Sequence, residues 1–532
     1  VSDPSPEELV IAYHERTKHH FNRFARALGY LDWATQPNPF RRYDGAPVFS
    51  LPLPATKRTT PFEQLYVDGA IPPEPLSVES LSLFFRYALS ITAWKELQGS
   101  RWALRANPSS GNLHPTEAYA ILPKEAGVHD RAALYHYAAK VHGLERRADL
   151  DDARFALLPA GTFLVGLSSI FWRESWKYGE RAYRYCQHDV GHAVGTLRYA
   201  ASLLGWRLQL LDRVSDADVE RVLGLDRTED YGEAEREHPD LLAIVAPGAI
   251  PTVDPQAAIA PIQWYGTANA LSRTSIDWKV IGEVARAATR DRRSFREAFD
   301  PVGSVDESGG AFSAEHVILG RRSAVRMDGK TSIRADAFYR MLSRLVPSGG
   351  APFDALLWRP RIHLGLFVHR VDGLRPGLYA LVRDPDRLDA LKKVMRGDFV
   401  WEKPAGSPEL LPLHLLQEGE YRWIAAEVSC DQDIAGDGAF AVAMIADAMD
   451  SLATFGAAFY RNLFWEAGLV GQVLYLEAEA AGIRSTGIGC YYDDPTHEVF
   501  GIATREWQSF YHFTVGGPVE DQRLTTLPAY AI

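Results

Sequence analysis

Residues 183–225, YRYCQHDVGHAVGTLRYAASLLGWRLQLLDRVSDADVERVLGL, and residues 460–502, YRNLFWEAGLVGQVLYLEAEAAGIRSTGIGCYYDDPTHEVFGI, lie over one another without a gap when the chain is slid along itself by 277 positions. Ten of the 43 aligned pairs are identical: Tyr183/Tyr460, Arg184/Arg461, Gly191/Gly468, Leu197/Leu474, Ala201/Ala478, Gly205/Gly482, Arg207/Arg484, Asp216/Asp493, Val222/Val499 and Gly224/Gly501. Ordinary composition gives about three such matches by chance. Agreement at one fixed offset marks a duplicated unit. In the first copy the segment reads as the end of a long helix from about Gly179 to Leu204, a strand near Arg207 to Leu211 and a short helix from Asp216 to Leu223.

Outward from the first copy, the pattern predicts a helix from about Ser77 to Glu96, strands near Glu117 to Leu122 and Thr162 to Ser168, and a strand from Leu241 to Ala246. Around the second copy it predicts a helix from Arg334 to Val346, strands near Ile362 to Val368 and Arg422 to Ser429, a long helix from Phe440 to Ala481, and strands near Thr486 to Tyr492 and Phe510 to Val515. The element order repeats, so the expected fold is α+β, two tandem domains of mixed sheet flanked by helices. Residues 251–311 are rich in Pro, Gly, Ser and Ala, with one helix expected between Trp278 and Arg290, and read as a connector. Residues 1–62 read as an arm that wraps other parts of the protein, because the Pro- and aromatic-rich run from Trp33 to Pro61 cannot hold regular structure for long. The organisation is then an arm at 1–62, a first domain at 63–250, a connector at 251–311 and a second domain at 312–532.

A chain of 532 residues is too long for one core, and 46% hydrophobic content with 11% aromatic residues excludes disorder. A net charge of -11 argues against a nucleic-acid binder, which needs a basic face. The two basic stretches, Arg16 to Arg26 and Arg290 to Arg296, alternate with apolar residues at helical spacing and read as solvated amphipathic faces. Cys186, Cys430 and Cys490 are far apart and form no CxxC pair, so neither a disulfide framework nor a zinc knuckle is expected, and a reducing cytoplasm is the natural setting. The opening Val-Ser-Asp-Pro-Ser-Pro-Glu-Glu shows no apolar signal region. The apolar run from Ala439 to Tyr460 carries Asp447 and Asp450, which makes it a buried helix rather than a membrane span.

Four segments carry chemistry. Pro108, Ser109, Ser110, Gly111 and Asn112 form a short polar loop ahead of a strand, with donors, hydroxyls and an amide clustered where a polar ring system can dock. Arg321, Arg322, Ser323 and Arg326 stand within two turns, and arginine forks beside a hydroxyl suit a phosphate. Thr486-Gly-Ile-Gly489 supplies two glycines, Gly487 and Gly489 around Ile488, where a backbone can approach a flat ligand. Lys177 and Tyr178 precede the long helix of the first half.

Together, Pro108-Ser-Ser-Gly-Asn112, Trp176-Lys-Tyr-Gly-Glu-Arg-Ala-Tyr-Arg184, Arg321-Arg-Ser323 and the run from Glu466 to Asp494 resemble the nitroreductase superfamily, and within it the SagB-type dehydrogenase branch. The resemblance covers most of residues 75–250 and 312–530. It implies FMN at an interface between two copies of the fold, with hydride moving between the flavin and a small or peptide-derived substrate. One copy of such a pair gives the Pro-Ser-Ser loop and the other the Arg-Arg-Ser helix and the Gly-Ile-Gly turn. Here each contribution survives in only one half, so residues 108–112 are expected to meet 321–323 and 487–489 across an internal pseudo-twofold, without a second chain. The resemblance also implies a proton-exchanging role for Lys177 and Tyr178, and a phosphate contact from Arg523 near the C-terminus. Ser110, Asn112 and His114 depart from the Pro-Ser-Ala-Gly-Ala-Leu-Tyr-Pro loop common in SagB-type enzymes and bring the loop closer to simple nitroreductases.

Other classes leave their own traces. An NAD(P)H-dependent nitro, quinone or enone reductase uses the same flavin site, and a scaffold that has lost its flavin keeps the same fold. His188 and His192 stand at i and i+4 as in zinc proteases, but with Asp189 in place of the glutamate base, no third ligand, and Trp465 and Leu469 at the repeated positions.

Overall fold

Small residues along two apolar helices decide how the halves meet. The computed structural model describes residues 3–302 and 311–530, and the part of the expected connector at 303–310 lies outside them. In chain order the elements that place the site are α1 (Pro6–Arg16), α2 (Val78–Ala88), β1 (Ile91–Leu97), β2 (Ser100–Arg105), β3 (Thr116–Leu122), β4 (Ala133–Ala138), β5 (Gly143–Leu150), β6 (Phe163–Ser169), α3 (Phe171–Tyr178), α4 (Ala182–Leu203), β7 (Arg207–Leu210), α5 (Asp216–Leu223) and β8 (His238–Ala246). After α6 (Lys279–Ala287) come α7 (Ala314–Gly320), α8 (Ala335–Ser343), β9 (His363–Val368), β10 (Gly377–Leu381), β11 (Leu413–Glu418), α9 (Arg422–Val428), β12 (Phe440–Asp447), α10 (Ala448–Phe455), α11 (Phe459–Ala480), β13 (Arg484–Ile488), α12 (Asp493–Phe500), β14 (Trp507–Gly516) and β15 (Thr525–Leu527).

The repeat is visible in three dimensions. One sheet runs β5-β4-β3-β6-β8-β7 and the other β11-β10-β9-β12-β14-β13, the same order in both halves. Helices α4 and α11 share both boundaries at the 277-residue offset, as do α5 and α12. Strand pairings within the two main sheets are antiparallel, where mixed sheets were expected. Antiparallel neighbours need only hairpins or a helix returning along the sheet, whereas parallel neighbours need a full crossover.

α4 and α11 cross where both copies have glycine. A Cβ on Gly191 would stand 2.2 Å from the Trp465 carbonyl oxygen, and one on Gly468 2.2 Å from the His188 oxygen. These reciprocal contacts place the pseudo-twofold between the two glycines, and the sheets and both helices share one hydrophobic core.

The arm does wrap. Within it, α1 lays Tyr13 Oη on the Glu180 carbonyl at 2.7 Å and His14 Nδ1 on Tyr460 Oη at 3.0 Å, so it touches both halves. The basic stretches are not solvated faces throughout: Lys18 is buried against Glu15 and Asp494, and Arg290 is buried over the Phe295 ring.

Several expected elements take other forms. The helix expected over Ser77 to Glu96 ends at Ala88, where Ser90 Oγ bonds the Arg86 carbonyl, and β-branched Ile91 and Thr92 begin β1. Arg422–Val428 is helix rather than strand. The long helix expected from Phe440 is instead strand β12, helix α10 and helix α11, because β12 is buried along nearly its whole length and its apolar run shows no alternation. No helix among the described residues is long and apolar enough to cross a membrane.

Candidate functional site

A cleft of about 430 Å³ opens between the halves, a size usual for cofactor sites. Its first-half wall is the 105–112 segment with Lys95, Trp102, Tyr178, Tyr185 and His192. Its second-half wall is 321–325 and 484–490 with Tyr475, Tyr511 and the tail segment from Pro518 to Leu524. The segments singled out in each half therefore face one another.

The 108–112 loop holds itself in shape. Gly111, Asn112 and His114 have φ of 58°, 60° and 53°, left-handed values that glycine and asparagine adopt most readily. Ser109 Oγ accepts from His114 N at 2.7 Å, Asn112 Nδ2 donates to the Ala103 carbonyl at 3.0 Å, and His114 Nε2 meets Asn112 Oδ1 at 3.0 Å. Ser110 donates to Asp189 Oδ1 on α4 through its amide and its hydroxyl, at 3.0 and 3.1 Å. The polar groups expected to dock a ring thus pin the loop, which offers the cleft its contour.

Lys177 and Tyr178 at the end of α3 reach this loop. A Cβ on Gly111 would lie 2.6 Å from Tyr178 Oη and 3.2 Å from Lys177 Nζ. Tyr178 lines the cleft, and burial, followed by Glu174 and Tyr185, raises its phenol. Behind them Glu174 is fully buried with both carboxylate oxygens unpartnered; burial and then Asp189 push it well above the carboxylate range. Burial also raises Asp189 to about 7, against the opposing bonds from Ser109 and Ser110.

Across the cleft, Arg321 is buried and donates to the Arg105 and Ala106 carbonyls at 2.9 and 3.3 Å, with its guanidinium over the Tyr475 ring. Arg322 donates to Thr92 Oγ1 and to the Leu319 and Arg321 carbonyls. Among the described residues neither guanidinium has a carboxylate within 4.0 Å. Burial lowers both, Arg322 to about 10. A buried and a half-buried cation whose side chains bond only neutral oxygens, with Glu479 acting on both from beyond contact, fit an anion such as the FMN phosphate. Ser323 Oγ bonds Tyr475 Oη at 2.9 Å, and the same phenol accepts from Gly487 N.

The glycines of the Gly-Ile-Gly turn serve a protein neighbour: a Cβ on Gly487 would meet Tyr511 Oη at 2.1 Å, and one on Gly489 the Tyr185 ring at 2.2 Å. The Ile488 side chain packs into the second-half core. Arg523 does not reach the site; its side chain is 77% exposed and chelates Asp521. The tail backbone nevertheless crosses the cleft, because β15 pairs with β1. His188 Nε2 bonds the Phe510 carbonyl, while His192 meets Gln472 and Tyr511, and no group of three His, Cys, Asp or Glu is placed for a metal among the described residues. Sequence reasoning missed Lys95, Tyr185, Tyr475, Arg484 and Tyr511, which join the cleft only through tertiary packing. It also missed the meeting of Cys430 and Cys490, 60 positions apart, whose sulfurs lie 2.6 Å from one another. The α9 end and the β13 end converge there.

The pseudo-symmetric position is lined differently. Gln209 bonds the Asp354 carbonyl and Arg296, and Asp212 accepts from Ser294 Oγ and Phe295 N, so the connector lies along this edge, beside a pocket of about 500 Å³ that Gln209 to Asp212, Arg292 and Arg296 line.

The family model described as the nitroreductase family matches residues 73–232 and 380–517, one block in each half. The chain belongs to the nitroreductase family. Its family makes it an oxidoreductase, and the two blocks make it a tandem member. A putative nitroreductase from Anabaena variabilis is 22% identical and superposes with a TM-score of 0.70 over 96% of this chain and 99% of its own, which shows a shared fold along the whole length. The Escherichia coli microcin synthetase McbBCD in complex with truncated pro-MccB17 is 16% identical over 47% of this chain and 95% of that one, at a TM-score of 0.27. A putative nitroreductase from Exiguobacterium sibiricum in complex with FMN is 14% identical over 38% of this chain and 88% of that one, at 0.23. Overlaps this small carry no argument about the site. No curated protein matches the chain.

Proposed function

We propose that this nitroreductase-family chain is an FMN-dependent, SagB-like oxidoreductase that moves a hydride between flavin and a small or peptide-derived organic substrate. The observation that carries the reading is one cleft in which the 108–112 loop of the first half faces Arg321 and Arg322 of the second, whose guanidiniums bond only hydroxyl and carbonyl oxygens. Arg321 and Arg322 would hold the phosphate, and the rigid loop with the 486–489 edge would seat the ring system. When bound, the flavin supplies the two-electron chemistry.

The chain's own residues manage the proton. Tyr178 Oη and Lys177 Nζ, both over Gly111, are groups at the loop able to give or take one. Glu174, one turn earlier on α3 and without a hydrogen-bond partner, stays neutral and stands behind them as a proton store. Arg321 and the tail tie the two walls together.

Arg321→Ala tests the reading. Removing one buried partner of a charged contact should weaken FMN by ~2–4 kcal/mol, and the purified variant should lose much of its yellow colour. Since Arg321 also bonds the Arg105 and Ala106 carbonyls, the flavin-free variant is melted beside flavin-free wild type to separate binding from folding. Full flavin occupancy in a folded Arg321→Ala chain would remove the phosphate assignment.

A further inference from the structure

The cleft has a second redox-capable feature at its edge. Cys490 follows the Gly-Ile-Gly turn and lines the cleft, while Cys430 stands just beyond it at the end of α9. Both are half-buried, and their sulfurs touch at 2.6 Å. The contact does not depend on the sulfurs alone. Tyr492 N donates to the Val428 carbonyl at 2.8 Å, Tyr492 Oη to Asp431 at 2.8 Å, and Gln432 Nε2 bridges the Ser429 and Cys490 carbonyls at 2.7 and 3.0 Å. Cys430 and Asp431 both hold φ near 57°, consecutive left-handed residues without glycine, a conformation kept only where the surroundings enforce it.

The two thiols differ. The bond from Cys430 and the nearby Arg181 guanidinium favour the Cys490 thiolate against the opposing effect of burial, whereas Cys430 is pushed the other way. Arg181 is fixed there by its bonds to the Gly489 carbonyl and Asp493. The sulfur that faces the cleft is Cys490, beside the Arg181 cation, and the Cys430 thiol able to resolve it is in contact behind. Cys186, buried inside α4, takes no part.

We propose that Cys430 and Cys490 form a redox-active dithiol–disulfide pair that exchanges two electrons with the isoalloxazine held in the cleft, an inference that rests on the flavin reading above. On oxidation of the pair, two S–H bonds break and one S–S bond forms. The two electrons and two protons pass to the oxidised isoalloxazine, which becomes the reduced form, and the reverse step opens the disulfide. In a reducing compartment a disulfide of this kind is catalytic or sensing rather than structural.

Thiol mapping and a reductive titration test it on the full chain. After diamide treatment, denaturing alkylation and peptide mapping should find Cys430 and Cys490 linked and Cys186 alkylated, with all three alkylated after dithiothreitol. The flavin-loaded, pre-oxidised wild type should then take up about four electrons per flavin from dithionite under anaerobic conditions, and Cys430→Ser about two, since each couple holds two. Cys430→Ala provides a second variant should the serine disturb the turn. Alkylation of all three cysteines after oxidation would overturn the proposal, and so would a wild type that takes up only about two electrons. Linked peptides in a chain that takes up no flavin would overturn both the electron partner and the proposed function, while the disulfide itself stood.

Discussion

At the scale of single residues, Lys177 and Tyr178 separate chemistry from binding. Both lie over Gly111, across the cleft from the arginines that would hold a phosphate. Lys177→Ala and Tyr178→Phe should therefore leave flavin content nearly unchanged while turnover falls roughly 10²- to 10⁴-fold, the usual weight of general acid–base catalysis. The assay uses whichever donor or acceptor first bleaches or re-oxidises the wild-type flavin, and wild-type rates in both variants would remove the pair from the mechanism. Asp189 gives a second expectation. Its Oδ1 accepts from Ser110, its Oδ2 has no partner, and burial raises it to about 7. A carboxyl raised in the folded state contributes stability that is complete below its unfolded value of about 4 and is lost as pH rises through about 7. Asp189→Asn keeps an acceptor for Ser110 and abolishes that titration. Relative to the variant, flavin-free wild type should lose on the order of a few kcal/mol between about pH 4 and about pH 8, read from urea midpoints. Parallel pH curves would show that Asp189 does not titrate in this range.

At the scale of elements, the crossing of α4 and α11 governs how the halves meet. Gly191→Ala places a methyl group 2.2 Å from a backbone oxygen, which no rotamer change relieves. Either Gly191→Ala or Gly468→Ala should cost ~1–3 kcal/mol, the usual penalty of overpacking, and lower the melting temperature. Melting at the wild-type temperature in both would mean that the helices do not touch there. These helices were legible because identity at a fixed offset survives whatever local propensity suggests, and the α5 boundaries followed from its own periodicity. The breaks were not legible. Between Leu89 and Thr92 a change from helix to strand leaves the apolar pattern unbroken, and from Phe440 to Ala446 a strand with both faces buried has no period to read. The loop at 108–112 announced itself through its turn residues, yet their inward bonds to Asp189 and Ala103 could not be seen, since those partners are set by tertiary packing. Arg523 was misplaced for a similar reason: Asp521, two residues earlier, captures its guanidinium locally.

At the scale of the whole molecule, duplication followed by divergence leaves the two pseudo-symmetric positions with different linings. The two sheets repeat in strand order and the long helices share both boundaries, so symmetry alone would supply two clefts. The sequence at each end decides otherwise. Gln209, Leu210, Leu211 and Asp212 stand where the open site has Thr486, Gly487, Ile488 and Gly489, and their polar groups bond Ser294, Phe295, Arg296 and Asp354. Asp212 puts a carboxylate where the open site has a glycine. The connector segment lies along this edge, and the arm ties both halves through Tyr13 and His14. A single chain should then bind one FMN and need no second copy to do so. The measurement is flavin absorbance per polypeptide combined with the mass of the flavin-loaded species in solution. One flavin per chain in a monomer is the expected result, and a dimer that keeps one per chain leaves the internal site intact. Two flavins per chain, or flavin retained only by a dimer and released on dilution, would mean that the site is not completed within one polypeptide. Asp212→Gly together with Gln209→Thr should not create a second site, since the mirror position is lined by neither the 108–112 loop nor the Arg321–Arg322 pair; a gain of flavin in that double variant would show that the edge residues alone decide which position binds.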